Sequence, residues 1–286
     1  VTPTEEISYA EMLKNIRLFA RYTPEQKEAK TIVFAENSVE WIYSFFSIWQ
    51  NKGIAIPVDA SSTVDDVAYI LNDARPEAIW VSGQTEETAR QAIEKAGVDT
   101  VVLRMDDLSG LAAHAETKET GISFEDSDVC VILYTSGTTG FPKGVMLTFK
   151  NLLVNIDAIS SKEVPIFNKN SSTLILLPLH HVMPLVGTLV APIFSESQVV
   201  LCPTMSGPDI MASLQRGKVT IIVGVPRLWQ TLYNGIKKKI DESALAITLY
   251  KLCEKVGSYG FSKKVFASVH KKLGGHLVYC VSGGAA

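Results

Sequence analysis

The sequence predicts an α/β fold of largely parallel sheets with helices on both faces. Short apolar, strand-like runs alternate with amphipathic helical runs along most of the chain, the pattern that sheet-and-crossover units leave in a sequence. The chain has 286 residues, 47% hydrophobic and 20% charged, an ordinary globular composition that excludes a disordered chain. A domain of this size buries roughly three quarters of the surface its unfolded chain exposes, so a large layered core is available.

Ser8 and Glu11 form a capping box ahead of Met12, Leu13, Ile16 and Phe19, which recur at helical spacing. Thr31–Ala35 is a short apolar strand. Asn37 and Glu40 then cap a nearly all-apolar helix, WIYSFFSIWQ, that stops at Gly53. Strand Ile54–Val58, a helix over Val64–Asn72, strand Ala78–Ser82, helix Glu86–Lys95 and strand Thr100–Leu103 continue the alternation. In folds of this kind ligands gather where loops leave the carboxyl ends of the strands.

Arg104–Asp128 interrupts the pattern with seven acidic and two basic residues and reads as a surface connection between sub-units of about 1–104 and 129–286. Strand Val129–Tyr134, a helix from Thr148, strand Thr173–Leu177, a helix from Pro184, strand Gln198–Cys202, a helix near Pro208–Arg216 and strand Val219–Val225 follow. After further helices the sequence closes on strand Leu277–Val281 and Ser282-Gly283-Gly284-Ala285-Ala286, where a parallel unit is expected to continue into a helix. The architecture is therefore expected to be incomplete at its C-terminus.

The net charge of −3 gives the whole chain no pull toward nucleic acid. Charge is uneven, however: Arg216–Lys272 carries 12 basic and 3 acidic residues. Lys237–Lys239 suit a helix C-terminus, and the stretch also suits contact with an anionic membrane surface. Cys130, Cys202, Cys253 and Cys280 have no metal-ligand spacing and read as buried free thiols in a reducing compartment. No signal segment is recognisable, so a cytoplasmic location is expected, with peripheral contact at the inner membrane face. The uncharged stretch Asn170–Ser195 is long enough to span a bilayer, but Pro178, Pro184, Pro192 and the pair His180-His181 favour a strand, a turn and a helix instead.

The chemistry-bearing stretch is Tyr134–Val145, YTSGTTGFPKGV, directly after the apolar VCVIL. Hydroxyls and glycines at Thr135, Ser136, Gly137, Thr138, Thr139 and Gly140 let a backbone fold closely around anionic oxygens and donate to them. Lys143 adds a positive charge and Gly144 lets the chain turn away, which suits the terminal phosphates of a nucleotide. It is neither a Walker A loop nor a dinucleotide fingerprint, and no G-x-S-x-G elbow occurs.

This run, ILYTSGTTGFPKG, resembles the AMP-binding motif of the adenylate-forming enzymes: acyl-CoA synthetases, peptide-synthetase adenylation domains and luciferases. Further segments resemble that family in order along the chain. Leu177-Pro178-Leu179-His180-His181-Val182 is similar to its second core motif, Gly224-Val225-Pro226-Arg227-Leu228 to the segment lining its acyl pocket, and Ser282-Gly283-Gly284-Ala285 to its glycine turn. The resemblance implies most of a large N-terminal AMP-binding domain over 1–286, without the small C-terminal domain.

It further implies ATP and Mg²⁺ as cofactors, CoA as co-substrate, and two half-reactions: a carboxylate attacks the α-phosphorus of ATP, and a thiol then takes the acyl group. His181 and Lys143 would be catalytic, with His181 near the carboxylate. Thr135–Gly140 and Lys143 would hold the β- and γ-phosphates, Thr135 would help place Mg²⁺, and Gly283, Gly284 and Ala285 would border the nucleotide. Val225, Pro226, Gly283 and His181 would border the acid. The family's Thr-Glu pair, ribose-binding Asp and C-terminal Lys fall beyond this sequence, so the chain alone is expected to bind without turning over. The apolar VMPLVGTLVAPIF and VTIIVGVPRLWQTLY suit a hydrocarbon wall. The Val-Pro-Arg-Leu run resembles long-chain fatty acyl-CoA synthetases, so a long-chain fatty acid is expected. An amino or aryl acid, a non-catalytic nucleotide or acyl-adenylate binder, and an unrelated phosphotransferase are the alternatives.

Overall fold

The computed structural model describes residues 1–108, 124–135, 142–161 and 165–284. They form two compact units: an N-terminal one of Glu6–Val164 with Pro178–Val186, and a C-terminal one of Val1–Glu5, Pro165–Leu177 and Gly187–Ala286. This division falls later than the boundary read from the sequence. The strands that follow the acidic connection rejoin the first sheet, through parallel pairing of Ala55 with Val131 and an antiparallel hairpin from Val129 to Thr148.

In the N-terminal unit, strands β1 (Lys30–Phe34), β2 (Ile54–Val58), β3 (Ala78–Val81), β4 (Val101–Arg104), β5 (Val129–Thr135) and β6 (Lys143–Thr148) form one sheet in the order β4-β3-β1-β2-β5-β6. All neighbours are parallel except the edge pair β5–β6, which is antiparallel. β2 and β3 are continuously apolar and wholly buried, and β1 is apolar and buried from Ile32 on, as expected of parallel strands covered on both faces. Helix α1 (Tyr9–Ala20) begins at the expected Ser8–Glu11 capping box, with both reciprocal bonds formed.

Helix α2 (Val39–Gln50) buries Trp41, Phe45 and Ile48 completely or nearly so. Each such side chain contributes roughly 1.5–3 kcal/mol by leaving water, and Trp49 anchors the helix by donating its indole N–H to the Cys130 carbonyl at 2.8 Å. The N-cap of α2 is Ser38, whose hydroxyl accepts from the Trp41 amide, and not the expected Asn37. Helix α3 (Val64–Ala74), held by a Thr63–Asp66 capping box, and helix α4 (Glu86–Ala96) close a core around Ile32, Phe34, Ile56, Leu71 and Ile79. The short β6 was not expected from the sequence. Helix α5 (Phe149–Ser160) follows it, N-capped by Thr148 as expected.

In the C-terminal unit, β7 (Ser172–Ile175), β8 (Gln198–Leu201), β9 (Ile221–Gly224) and β10 (Tyr279–Ser282) form an all-parallel sheet in the order β10-β9-β7-β8. Val1 extends the β8 edge, its nitrogen donating to Val199 and its carbonyl accepting from Leu201. Between β7 and β8 the chain is helical over α6 (Val182–Pro184), a π-helical stretch Leu185–Val190 and α7 (Ala191–Phe194). The helix expected from Pro184 is therefore present but locally widened, with i→i+5 bonding in place of i→i+4, a form often found near functional sites. Helices α8 (Gly207–Arg216), α9 (Pro226–Asp241), α10 (Ala244–Val256), α11 (Tyr259–Val265) and α12 (Ala267–Lys272) complete the unit. Among the described residues no helix is long and apolar enough to cross a membrane.

Candidate active site

Thr135 and Lys143 face each other across the β5–β6 hairpin, as the last and first residues of the two strands. The apolar Cys130–Leu133 stretch buries the body of β5, which leaves Thr135 exposed at its carboxyl end, and Lys143 is exposed opposite it. Ser136, Gly137, Thr138, Thr139 and Gly140, expected to bind phosphate, lie outside the described residues. Gly144 pairs with Tyr134 in the register. A Cβ on Gly144 would stand 2.9 Å from Ile132 Cγ2 and 3.1 Å from Tyr134 Cζ, so the glycine makes room for the tyrosine ring.

Helix α3 reaches both stems of this hairpin. The Tyr134 hydroxyl donates to Asp73 Oδ2 at 2.5 Å, and the Tyr69 hydroxyl donates to the Pro142 carbonyl at 3.0 Å. Burial pushes the Tyr134 phenol above its ordinary value, and the bond to the Asp73 carboxylate pushes it further, so it stays a donor. Neither Tyr69 nor Asp73 carries a motif signal; only their one-turn spacing on a helix face hints at a shared role.

His180 and His181 lie beside the carboxyl ends of β1 and β2. The Leu179 amide donates to Asn37 Oδ1 at 3.1 Å, which fixes the turn just after β1. His180 Nε2 stands 3.7 Å from Asp59 Oδ2, directly after β2, and the two imidazole rings are 4.0 Å apart. Burial, then the neighbouring His181, holds His180 down to about 4 despite Asp59. Burial raises the Asp59 carboxyl, but bonds from Ser61 and the two imidazoles outweigh it and leave it below the ordinary value. His181, the expected catalytic histidine, is exposed and starts α6. From the register pair Ala55↔Val131, Asp59 and Thr135 lie four residues on along adjacent parallel strands. The structure thus gathers Asn37, Asp59 and Thr135 at the carboxyl ends of three parallel strands, where such folds bind ligands.

The C-terminal unit builds a second cluster at a strand edge. Val225 is the N-cap of α9 and Pro226 its first residue, where proline's missing N–H costs nothing. Ser282 pairs with Gly224, and the Gly283 amide continues the ladder to the Gly224 carbonyl at 3.1 Å. Gly284 follows with φ +86°, a conformation that suits glycine. Gly224, Val225, Pro226, Gly283 and Gly284, far apart in sequence, therefore share the carboxyl edge of β9 and β10. Ala285 lies outside the described residues.

Among the described residues no group of three or more His, Cys, Asp or Glu is placed to hold a metal ion. Cys130, Cys202 and Cys253 are buried free thiols as expected, whereas Cys280 on the edge strand β10 is exposed. In the basic stretch, Lys237 pairs with Asp241 at 3.5 Å and lies 5.5 Å from the centre of the Tyr250 ring, so part of that charge is engaged locally.

A parallel sheet with helices on both faces, carrying a glycine- and hydroxyl-rich sequence at the carboxyl end of a strand, defines an α/β nucleotide-binding class of protein. The chain belongs to the AMP-binding enzyme family, which matches it over residues 1–286. It is 24% identical over 288 residues to the long-chain-fatty-acid–CoA ligase FadD15 of Mycobacterium bovis, covering 90% of this chain and 47% of the relative. It is 24% identical over 234 residues to the mitochondrial malonate–CoA ligase ACSF3 of Bos taurus, covering 80% of this chain and 39% of the relative. Among solved structures, ATP-bound MatB from Rhodopseudomonas palustris superposes with a TM-score of 0.76 at 23% identity, over 99% of this chain and 51% of that one. The fold is that of the N-terminal part of adenylate-forming enzymes. The chain spans about half the length, or less, of these relatives.

Proposed function

We propose that this chain supplies the nucleotide- and acid-binding part of a ligase that activates a long-chain fatty acid with ATP and passes the acyl group to CoA. The observation that carries the reading is the position of the YTSGTTGFPKG run, entered from the carboxyl end of β5 and left through Lys143 at the start of β6. A carboxylate oxygen attacks the α-phosphorus, the bond to the β-phosphate oxygen breaks, and pyrophosphate leaves. The CoA thiolate then attacks the acyl carbonyl and AMP leaves.

Two anions must meet in the first step, so neutralising charge and aligning the attack are the main tasks of the protein. Lys143 supplies a cation at the leaving pyrophosphate. Thr135 offers a hard oxygen for Mg²⁺, an ion that takes one or two protein oxygens together with substrate phosphates; when bound, it offsets charge on those phosphates. His181, exposed beside the neutral His180, meets the acid. Gly283 and Gly284 let nucleotide and acid approach the backbone, and Val225 and Pro226 border the acyl chain.

The choice of a long-chain acid is supported by the apolar run Val182–Phe194 and by the relative named as a long-chain-fatty-acid ligase. The malonate ligase among the relatives favours a second reading, a short dicarboxylic acid. The basic helices α9–α12 extend the first reading to peripheral contact with an anionic membrane, where such acids reside. The test is pyrophosphate release by the intact protein with ATP, Mg²⁺ and, in parallel, palmitate, malonate or phenylalanine. Release with palmitate is the expected result. Release with malonate or phenylalanine alone would keep the chemistry and replace the substrate. γ-Phosphate transfer without pyrophosphate would overturn both.

A further inference from the structure

We infer that Tyr69 and Asp73, one turn apart on α3, are positioning residues that hold Thr135 and Lys143 at the spacing a bound polyphosphate requires. The inference rests on the reading of Thr135 and Lys143 as phosphate-binding residues. Each of these two residues is preceded in sequence by a residue tied to α3. Tyr134, just before Thr135, donates to Asp73 at 2.5 Å, and Pro142, just before Lys143, accepts from Tyr69 at 3.0 Å. One helix face thus grips both stems of the β5–β6 hairpin.

The grip is rigid at its helical end. Val67, Ile70 and Leu71 are buried in the core, and the Thr63–Asp66 capping box locks the first turn of α3. Residues four apart on a helix stand about 5–6 Å from each other, a separation matched to neighbouring antiparallel strands. Pro142 has no N–H of its own, so its carbonyl is the one backbone hydrogen-bonding group it can offer. Gly144, lacking a Cβ, admits the Tyr134 ring that carries the other contact. A hairpin that needed only to be stable has no use for a carboxylate and a phenol placed one on each stem. A hairpin whose tip must present a hydroxyl and an ammonium to one phosphate chain does, because small misplacements at such sites cost far more in rate than in stability.

The test is labelling of the intact protein by an acyl-phosphate derivative of ATP. The amine of a lysine at the phosphates attacks the acyl carbon, an amide forms and ATP leaves; the Lys143 peptide is then quantified by mass spectrometry. Wild type is expected to label at Lys143, with protection by excess ATP. Y69F, which removes one oxygen, and D73A are each expected to label about tenfold less. D73N, which keeps an acceptor for the Tyr134 hydroxyl, is expected to label within about twofold of wild type. Melting temperatures recorded beside the labelling separate loss of positioning from loss of fold, and Y69F carries the test if D73A does not fold. Unchanged Lys143 labelling in folded Y69F and D73A would overturn the inference and leave the phosphate reading standing. A wild type that ATP fails to protect, or that never labels at Lys143, would overturn the phosphate reading and the inference with it.

Discussion

His180 Nε2 and Asp59 Oδ2 are 3.7 Å apart, yet they do not form an ion pair at neutral pH. Burial and the adjacent His181 hold His180 at about 4, against an ordinary 6.5, so the imidazole stays uncharged. Above pH 6.5 neither the folded nor the unfolded state carries this proton and the residue adds no pH dependence. Below it the unfolded chain binds a proton that the folded chain refuses, so stability falls between 6.5 and about 4 and levels off beneath. Replacing His180 by Gln should therefore narrow any stability gap to wild type by about 1–2 kcal/mol near pH 5. The His180 ring signals in an NMR titration should stay unchanged from about pH 8 to pH 5. A midpoint above 6.5 would mean that Asp59 outweighs burial, so that the ring is charged and the contact ionic near neutral pH.

Asn37 holds the turn that carries both histidines. Its side-chain oxygen accepts from the amide of Leu179, a residue only 1% exposed. Asn37→Ala leaves that amide without its acceptor, which should cost about 1–3 kcal/mol in urea unfolding. The Leu179 amide should also exchange with solvent faster than its neighbours. If His181 meets the acid, the same variant should raise KM for the acid more than KM for ATP. An equal rise in both would separate the turn from acid binding.

The parallel alternation was legible because each strand is a short apolar run and each helix has a cap or an apolar stripe. The N-cap of α2 was not, since Asn37 and Ser38 are both good caps and only the fold assigns Asn37 to Leu179. β6 was missed because Lys143 and Gly144 open it and Thr148 closes it, which leaves only the three apolar residues Val145–Leu147, and the strand is defined by its pairing with β5. The motif residues Thr135, Lys143 and His181 could be named from sequence because a long motif repeats their neighbours. Their supports could not: Asp73 is 61 residues from Tyr134, and Tyr69 is 73 from Pro142, with no pattern joining them. The one-residue difference between a half-buried His180 and an exposed His181 is likewise decided by packing, with His180 set against Asp59 at the end of β2.

Gly144 is required by space and not by backbone conformation. A Cβ there would meet Ile132 Cγ2 at 2.9 Å, an atom branching next to the backbone of the neighbouring strand that cannot swing away, and Tyr134 Cζ at 3.1 Å. Gly144→Ala should therefore destabilise the protein by about 1–3 kcal/mol, the usual cost of overpacking. The ring displaced is the one that holds Asp73, so affinity for ATP should fall as well. Thermal unfolding and ATP titration of the same preparation check both. A stable variant with weakened ATP binding would show that the ring can move aside, and that its movement is what the site feels.

Thr135 and Lys143 offer the sharpest test of the site, because they are register partners and both side chains are exposed. Substituting either should leave the melting temperature close to that of wild type, as surface changes away from packing usually cost within about 0.5 kcal/mol. If Lys143 meets the leaving pyrophosphate, Lys143→Met removes a full charge from it and should lower kcat/KM for ATP about 100-fold, comparable to losing a preorganised donor. Thr135→Val removes one oxygen and should cost about tenfold. If both act on one phosphate chain, the double variant should lose less than the product of the two, by a coupling of about 1 kcal/mol. Full additivity would mean that they touch different parts of the nucleotide, and an unchanged ATP dependence in Lys143→Met would remove this lysine from the phosphate site.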